Sequence, residues 1–165
     1  MNPALVLPYN EVERLQAVAS YQLLDTLPEQ AYDDLVQLAA YICKTPIALI
    51  SLIDDSRQWF KARVGLDVDE VPREQTFCTH ALLKPNEMLL VNDARCDARF
   101  AEHPAVVAGM VGFYAGVPLT NESGLALGTL CVVDSQAREL SAAALNALSS
   151  LARQVVAQFE FADSI

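Results

Sequence analysis

The sequence has few basic residues, few histidines and no long apolar run, and each shortage excludes a class of function. Its 165 residues contain 11 Lys and Arg against 21 Asp and Glu, which gives a formal net charge of −10. Nucleic acids and anionic membranes are bound through clustered Lys and Arg, so we expect neither as a partner. With only two histidines, the sequence offers few residues for acid–base catalysis or for binding a metal ion.

The sequence also indicates where the protein is located and whether its cysteines are paired. No apolar segment reaches the roughly 18 residues that a membrane span requires, and residues 1–8 lack the basic start and the apolar length of a signal peptide. We therefore predict a cytoplasmic protein. The four cysteines have neither CxxC spacing nor a secretory context, so we interpret them as free thiols and not as a disulfide framework.

What is present is an apolar fraction of 53%, which suffices for the core of one domain at this length. Residues 112–119 and 125–133 form two apolar runs around the polar connector 120–124, and this pattern predicts a β-hairpin. The second run is apolar on both faces, so the hairpin should lie in a sheet that is covered on both sides. Four glycines mark places where backbone, a side chain or a ligand comes close: Gly112, Gly116, Gly124 and Gly128.

Helix and strand patterns precede and follow this hairpin. Two amphipathic helices come first, then a strand, a half-solvated alternating strand, a short helix, a short strand, a long irregular segment and, after the hairpin, a last helix. Their predicted ranges are 11–21, 28–43, 47–53, 58–64, 77–83, 88–91, 92–112 and 141 onward. Arg14 lies on the polar face of the first helix, and the apolar stripe of the second includes Leu38 and Ile42. In the last helix, apolar residues from Leu145 to Phe159 recur at steps of three and four, which predicts either a homodimer seam or packing on the sheet.

Six segments of the chain, over about residues 11–160, resemble the GAF domain family. They are Tyr21–Glu29, Pro46–Asp54, Arg57–Ala62, Phe77–His80, Phe113–Leu119 and Leu127–Asp134. The resemblance implies an α+β fold: a central five- or six-stranded antiparallel sheet with the terminal helices on one face, and short helices and loops that roof a pocket on the other. It also implies a single GAF domain over residues 11–163, preceded by an N-terminal extension at residues 1–10.

Members of this family usually sense a small molecule, a tetrapyrrole or a redox signal, and pass the change to a kinase or cyclase joined to their terminal helices. By resemblance we expect a sensory domain for signal transduction, with no catalytic residue and no metal site, that binds a small molecule and forms a homodimer through its terminal helices. The sequence names neither the ligand nor a cofactor, and the domain either stands alone or is one piece of a larger protein. The pocket should lie between the sheet and residues 76–83 and 92–112, and its predicted residues are Phe77, Cys78, His80, Asp93, Phe100, Phe113 and Tyr114.

Two other functions are compatible with the residues. Some GAF proteins reduce free methionine-R-sulfoxide with pocket cysteines, and Cys78 in a first helical turn or Cys96 beside two arginines are candidate reactive thiols. The third hypothesis is a ligand-free dimerisation module. Cys78 and His80 also resemble the chromophore-binding pair of tetrapyrrole-binding relatives, although the Asp-Ile-Pro segment of those photoreceptors is absent from the sequence. The alternating charges from Asp93 to Arg99 either hold an anionic ligand or pair locally.

Overall fold

The computed structural model describes residues 6–163, so residues 1–5 of the predicted extension 1–10 lie outside the described residues. The strands are β1 (Ile47–Ile53), β2 (Arg57–Val64), β3 (Glu70–Pro72), β4 (Leu89–Val91), β5 (Phe113–Thr120) and β6 (Ala126–Asp134). The helices are α1 (Glu11–Ser20), α2 (Gln30–Cys43), α3 (Cys78–Ala81), α4 (Pro104–Val107) and α5 (Ala142–Asp163), with 3₁₀ turns at Arg73–Gln75 and Ala94–Cys96. One antiparallel sheet has the order β3-β2-β1-β6-β5-β4, which confirms the predicted α+β fold. None of these helices combines the length and the apolar content that crossing a membrane requires.

Alternation along the strands divides the apolar residues between two cores, one on each face of the sheet. Successive side chains of a strand point to opposite faces, and the middle strands β1 and β6 are buried along almost their whole length. The helix-facing core lies between the sheet and helices α1, α2 and α5, and includes Val132 and Phe159. The loop-facing core lies beneath α3 and residues 92–112, and includes Cys131 and Phe100.

Strand β2 departs from the prediction of a half-solvated strand with simple alternation. Its pairing with β1 shifts by one residue between Ile50 and Ser51, so Lys61 is an extra residue in a β-bulge. Phe60 and Ala62, which simple alternation puts on one face, therefore pack in opposite cores. Lys61 itself is buried because α2 covers this face of the strand.

The β5–β6 hairpin occupies the predicted place in the sheet. The two strands pair along their whole length, and β6 lies between β1 and β5. In the turn, Gly124 has a φ of +82°, and the side-chain oxygen of Asn121 accepts a hydrogen bond from the backbone N–H of Leu125, just before β6, at 2.9 Å. A Cβ atom at Gly128 would lie 1.8 Å from the carbonyl oxygen of Ser51. Only glycine lets β6 approach β1 this closely, as the sequence predicted.

The apolar seam of α5 packs on the sheet and is not free for a second chain. Leu148, Val155 and Phe159 have no exposed surface, and Ala152 is buried with them in the helix-facing core. Of the two interpretations of this seam, the structure favours packing on the sheet, because the sheet and α2 cover it. A homodimer through the terminal helices stays a prediction.

A buried ionic cluster attaches α1 to the end of the sheet. Arg14, expected on the polar face, and Arg73 are each 1% exposed. The Glu11 carboxylate accepts hydrogen bonds from Arg14 at 2.8 and 3.0 Å and a further one from Arg73. Arg14 also donates to the carbonyl of Ala126 at the start of β6, and Arg73 donates to the carbonyl of Asp54 just after β1. Two almost fully buried guanidinium groups thus share one carboxylate as their counter-ion.

The protonation of Glu11 reflects this position. Burial raises the pKa of Glu11, but the hydrogen bonds and charges of Arg14 and Arg73 outweigh burial and lower the pKa from 4.5 to about 2. Because this pKa is lower in the folded than in the unfolded chain, the ionised carboxylate contributes stability above pH 4.5. That contribution is lost as the pH falls toward 2.

We expect Glu11→Gln to lower the free energy of unfolding by about 3 kcal/mol at neutral pH, because it leaves two buried guanidinium groups without a counter-charge. Urea unfolding followed by circular dichroism measures the change. Glu13→Gln, on the exposed side of the same helix, is the control and should change stability by less than about 0.5 kcal/mol. The difference between wild type and Glu11→Gln should shrink as the pH falls from 4.5 toward 2; a difference that stays constant contradicts this account of Glu11.

Candidate functional site

A partly enclosed pocket lies in the loop-facing core, between the sheet and the segments that cover it. Its volume is about 170 Å³ and its walls are mostly apolar. Strands β1, β2, β5 and β6 form the floor, and α3, α4 and residues 103–111 form the roof. Representative lining residues are Leu49, Phe60 and Val133 in the floor and Phe77, Ala105 and Val111 in the roof. The location agrees with the predicted pocket, and we call this cavity the Cys78 pocket.

A larger cleft, about 600 Å³, lies on the other side of β2 beside α2. The cationic groups along this cleft already have partners in the chain. The ammonium group of Lys61 is bonded to Glu29 at 2.6 Å and to Thr26 at 2.8 Å, and Arg63 pairs with Asp69 at 2.6 Å. The cleft is therefore a paired, charged surface, and the Cys78 pocket is the better candidate site.

One end of the Cys78 pocket is polar, and the Sγ atom of Cys78 lies at its centre. Gln58 Nε2 donates to this sulfur at 3.1 Å and Thr129 Oγ1 donates to it at 3.0 Å. The hydroxyl oxygen of Tyr114 lies 3.0 Å from the same atom, and the Sγ atom of Cys131 lies 4.0 Å away. The four neighbours come from β2, β5 and β6, whose alternation points all of them to the loop side. The first residue of α3 brings the thiol down onto them.

These contacts determine which group of the cluster ionises. Burial by itself raises the pKa of the Cys78 thiol, but hydrogen bonds from Cys131, Thr129, Tyr114 and Gln58 outweigh burial and lower that pKa below its ordinary value. The hydrogen bond to Cys78, together with burial, raises the pKa of Cys131. Burial and the neighbouring Cys78 charge raise the pKa of Tyr114. Of the three groups, Cys78 is therefore the one that ionises most readily, since the pKa of Cys131 and that of Tyr114 are raised.

Tyr114 reaches Cys78 because Gly116 leaves room for its ring. A Cβ atom at Gly116 would lie 2.2 Å from the Tyr114 hydroxyl oxygen, so a larger residue would displace the phenol. Phe77 packs against the same ring at a centroid distance of 5.3 Å and stacks on Phe100 at 4.2 Å. This aromatic group fixes the phenol over the sheet and supports the roof of the pocket.

The structure brings three of the seven predicted site residues into the pocket wall. Phe77, Cys78 and Tyr114 line the cavity. Phe100 lies behind Phe77, is fully buried and supports it through the ring stack. Ligand binding by these residues stays a prediction.

Two other predicted residues point away from the cavity. His80 is exposed on the outer side of α3, with its ring centroid 4.8 Å from that of Phe100 in an edge-on contact. The prediction of Phe113 as a pocket residue is wrong, because Phe113 packs in the helix-facing core. Tyr114 faces the pocket, and adjacent residues of a strand face opposite sides. The strand cannot present both rings to one cavity.

The remaining predicted residue, Asp93, belongs to a charged surface segment. Asp93 accepts hydrogen bonds from the backbone and side chain of Arg95 at 3.1 Å, and Asp97 pairs with Arg99 at 2.7 Å. Of the two interpretations of these charges, the structure favours local pairing. Cys96 is exposed in the same segment, beside Asp93 and outside the pocket wall.

Sequence reasoning missed Gln58, Thr129 and Cys131. Thr129 is a polar residue within an apolar run, and Gln58 is a polar residue in the alternating strand β2. A buried polar group requires a hydrogen-bond partner. That requirement is the signal that identifies them as members of a polar cluster. Cys131 was interpreted as a free thiol, which is correct, but its approach to Cys78 depends on a helix more than fifty residues earlier in the chain.

The volume of the pocket limits what it can hold. An apolar cavity of about 150 Å³ accommodates a molecule of the size of benzene, and sites for drug-sized ligands span about 300–1,000 Å³. The Cys78 pocket therefore has room for a compound of only a few non-hydrogen atoms, and a tetrapyrrole fits only if the roof moves. Within residues 6–163, no group of three or more His, Cys, Asp or Glu side chains is arranged to hold a metal ion.

Comparison with known proteins agrees with this architecture. The sequence profile of the GAF domain matches residues 27–159. The chain belongs to the GAF domain family. Over 132 residues this GAF chain is 39% identical to a cyclic di-GMP phosphodiesterase of Pseudomonas aeruginosa. The alignment covers 79% of this chain and 22% of that protein, so the chain spans about a fifth of the length of this curated relative.

Solved structures of GAF domains share the fold. The GAF domain of an Acinetobacter phosphoenolpyruvate-protein phosphotransferase superposes with a TM-score of 0.65 at 20% identity, covering 96% of this chain and 98% of that chain. A type II free methionine-R-sulfoxide reductase from Thermoplasma acidophilum superposes with a TM-score of 0.60 at 17% identity, covering 78% of this chain and 92% of that chain. At these identities the likeness shows the fold alone.

We expect Thr129→Val to raise the pKa of Cys78 and to slow its alkylation by iodoacetamide at pH 7. A hydrogen bond to a charged group contributes about 1.5–3 kcal/mol, and one pKa unit corresponds to about 1.4 kcal/mol, so the rate should fall about tenfold. Mass spectrometry of the tryptic peptide 74–95 measures the rate. Thr79→Val is the control, since Thr79 is buried beside Cys78 and bonded to other groups. Equal rates in the two variants contradict the assignment of Thr129 as a donor that stabilises the thiolate.

Proposed function

We propose that this GAF domain is a sensory module without catalysis of its own, which binds a small molecule in the Cys78 pocket and acts in cytoplasmic signal transduction. The observation that carries the proposal is the pocket, with its apolar walls and single polar end. A few convergent polar groups in an apolar cavity are typical of small-molecule sites. The net charge of −10 supports a small-molecule ligand over nucleic acid or a membrane.

The pocket and the terminal helices contact opposite faces of the same strands, which supports a route for the signal. In β6, Cys131 and Val133 belong to the loop-facing core, whereas Leu130 and Val132 belong to the helix-facing core. A ligand that displaces β6 therefore changes the surface on which α5 packs. The size of the response is limited by the difference in the ligand's affinity for the two arrangements.

The curated relative supports an enzyme of nucleotide signalling as the receiver of this signal. That protein is a cyclic di-GMP phosphodiesterase, and most of its length lies outside the matched region. We infer that a GAF domain of this kind regulates a signalling enzyme, either the kinase or cyclase expected from the sequence or a phosphodiesterase.

We expect protein isolated from the cells that express it to carry a small molecule, visible in native mass spectrometry as a mass above that of the polypeptide. Ala105 lines the pocket in α4, and Ala105→Phe should fill the cavity and abolish the added mass. Val107 lies on the same helix and is 74% exposed, so Val107→Phe is the matched control and should retain it. The proposal is contradicted if the wild type carries no added mass and if no compound of a metabolite library raises its melting temperature.

We also propose a homodimer formed through the outer surface of α2, in place of the α5 seam. Leu38, Tyr41 and Ile42 are 47%, 81% and 37% exposed and lie on one side of α2, which packs beside α5. Exposed apolar patches of this kind mark interaction sites. A second copy of the chain can cover this surface symmetrically, which brings two pairs of terminal helices together.

We expect the double variant Leu38→Glu, Tyr41→Glu to sediment as a monomer at concentrations where the wild type sediments as a dimer, because two carboxylates would be buried at the interface. Analytical ultracentrifugation makes the measurement. Val107→Glu introduces a charge at an exposed apolar residue on the loop side and should leave the dimer intact. A wild type that stays monomeric at every concentration contradicts the proposed dimer.

A further inference from the structure

We propose that the Cys78 pocket is a hydroperoxide-reactive site, in which Cys78 is oxidised and then forms a disulfide with Cys131. The two Sγ atoms lie 4.0 Å apart and both side chains line the same cavity. Neither thiol needs to cross a strand or a helix to reach the other. The inference depends on the cavity and the two thiols, and it applies while no other ligand fills the pocket; it does not depend on which small molecule the domain senses.

The cavity admits a small oxidant although it shields both thiols. Cys78 is 2% exposed and Cys131 is 1% exposed, so reagents in bulk solvent meet them through the pocket. A water molecule occupies about 30 Å³ of liquid volume, and the pocket has about 170 Å³. Hydrogen peroxide or a short alkyl hydroperoxide therefore fits beside the sulfur of Cys78.

The polar end of the pocket supplies the groups that the reaction requires. The thiolate is the nucleophile in thiol chemistry, and the side chains of Gln58 and Thr129 donate hydrogen bonds to the Cys78 sulfur. The hydroxyl group of Tyr114 lies 3.0 Å from that sulfur. Burial raises the pKa of Tyr114, and its hydroxyl group can donate a hydrogen bond to the oxygen that leaves.

The two steps balance with the hydroperoxide as the oxidant. First, the thiolate of Cys78 attacks the terminal oxygen of ROOH; an S–O bond forms, the O–O bond breaks, and ROH leaves with the proton that the thiol released. Cys78 is then a sulfenic acid. Second, the sulfur of Cys131 attacks the sulfur of Cys78; the S–S bond forms, the S–O bond breaks, and water leaves with the proton of Cys131. Two electrons pass from the thiols to the hydroperoxide.

Closing the disulfide moves the roof of the pocket toward its floor. The Sγ atoms must approach from 4.0 Å to about 2.05 Å. Cys131 lies in β6, which is hydrogen-bonded to a strand on each side, whereas Cys78 begins a helix of four residues. The helix α3 is therefore the element that moves. Oxidation removes the hydrogen-bond acceptor of Gln58 and Thr129 and changes the shape of the pocket.

Peptide mapping tests the proposal directly, because trypsin separates the four cysteines. Cys43, Cys78, Cys96 and Cys131 fall in the tryptic peptides 15–44, 74–95, 96–99 and 100–138. After brief treatment of the folded protein with a small excess of hydrogen peroxide, non-reducing mass spectrometry should show peptides 74–95 and 100–138 joined. We expect this pair at least tenfold more often than any other pair, and the preference should disappear in urea.

Two variants distinguish the steps. Cys131→Ser should form no joined peptide and should accumulate a sulfenic acid on peptide 74–95, trapped by dimedone. Cys96→Ser, which removes the exposed thiol, should form the joined peptide as the wild type does. The proposal is overturned if peroxide oxidises Cys96 while peptides 74–95 and 100–138 stay separate and reduced, or if the four thiols pair equally often in the folded wild type.

Discussion

The structure depends on two neighbouring strands, β1 and β6, that are buried on both faces. A strand with two buried faces must present apolar groups on each side, and it then separates two cores that share no side chain. The helix-facing core holds α1, α2 and α5 on the sheet, and the loop-facing core holds the short segments that surround the Cys78 pocket. The close approach at Gly128 keeps these strands together where any side chain would push them apart.

The sequence predicted those parts of the fold that are determined by local pattern or by family resemblance. The hairpin from 112 to 133 and the last helix, capped by Ser141 through a hydrogen bond accepted from Ala144, are both present. It was harder to predict which side chains of each helix and strand are buried. The bulge at Lys61 arises from pairing with β1, and Arg14 is buried because Glu11 neutralises it. Neither cause appears in the periodicity of the segment that contains the residue.

The candidate site, too, could be predicted from the sequence only in part. Cys78 was predicted as a thiol in the first turn of a helix and Tyr114 as an aromatic residue of the pocket. Gln58, Thr129 and Cys131 also lie in segments that resemble the GAF family, but they become neighbours of Cys78 only when three strands are placed in register. Phe113 failed as a prediction for a simple reason: it precedes Tyr114 in one strand, and the pleat separates them. The chemical character of the site, a thiol surrounded by donors in an apolar cavity, is therefore a property of the sheet and is not encoded in a motif.

Arg73 connects the first helix to the roof of the Cys78 pocket through its side chain and its backbone. Its guanidinium group is held by Glu11 of α1, and its carbonyl oxygen accepts hydrogen bonds from the hydroxyl groups of Thr76 and Thr79 at 3.0 and 3.1 Å. Thr79 is the residue after Cys78. The first helix and the roof of the Cys78 pocket are therefore linked through the side chain and the backbone of one residue, in addition to the contacts that each makes with the strands.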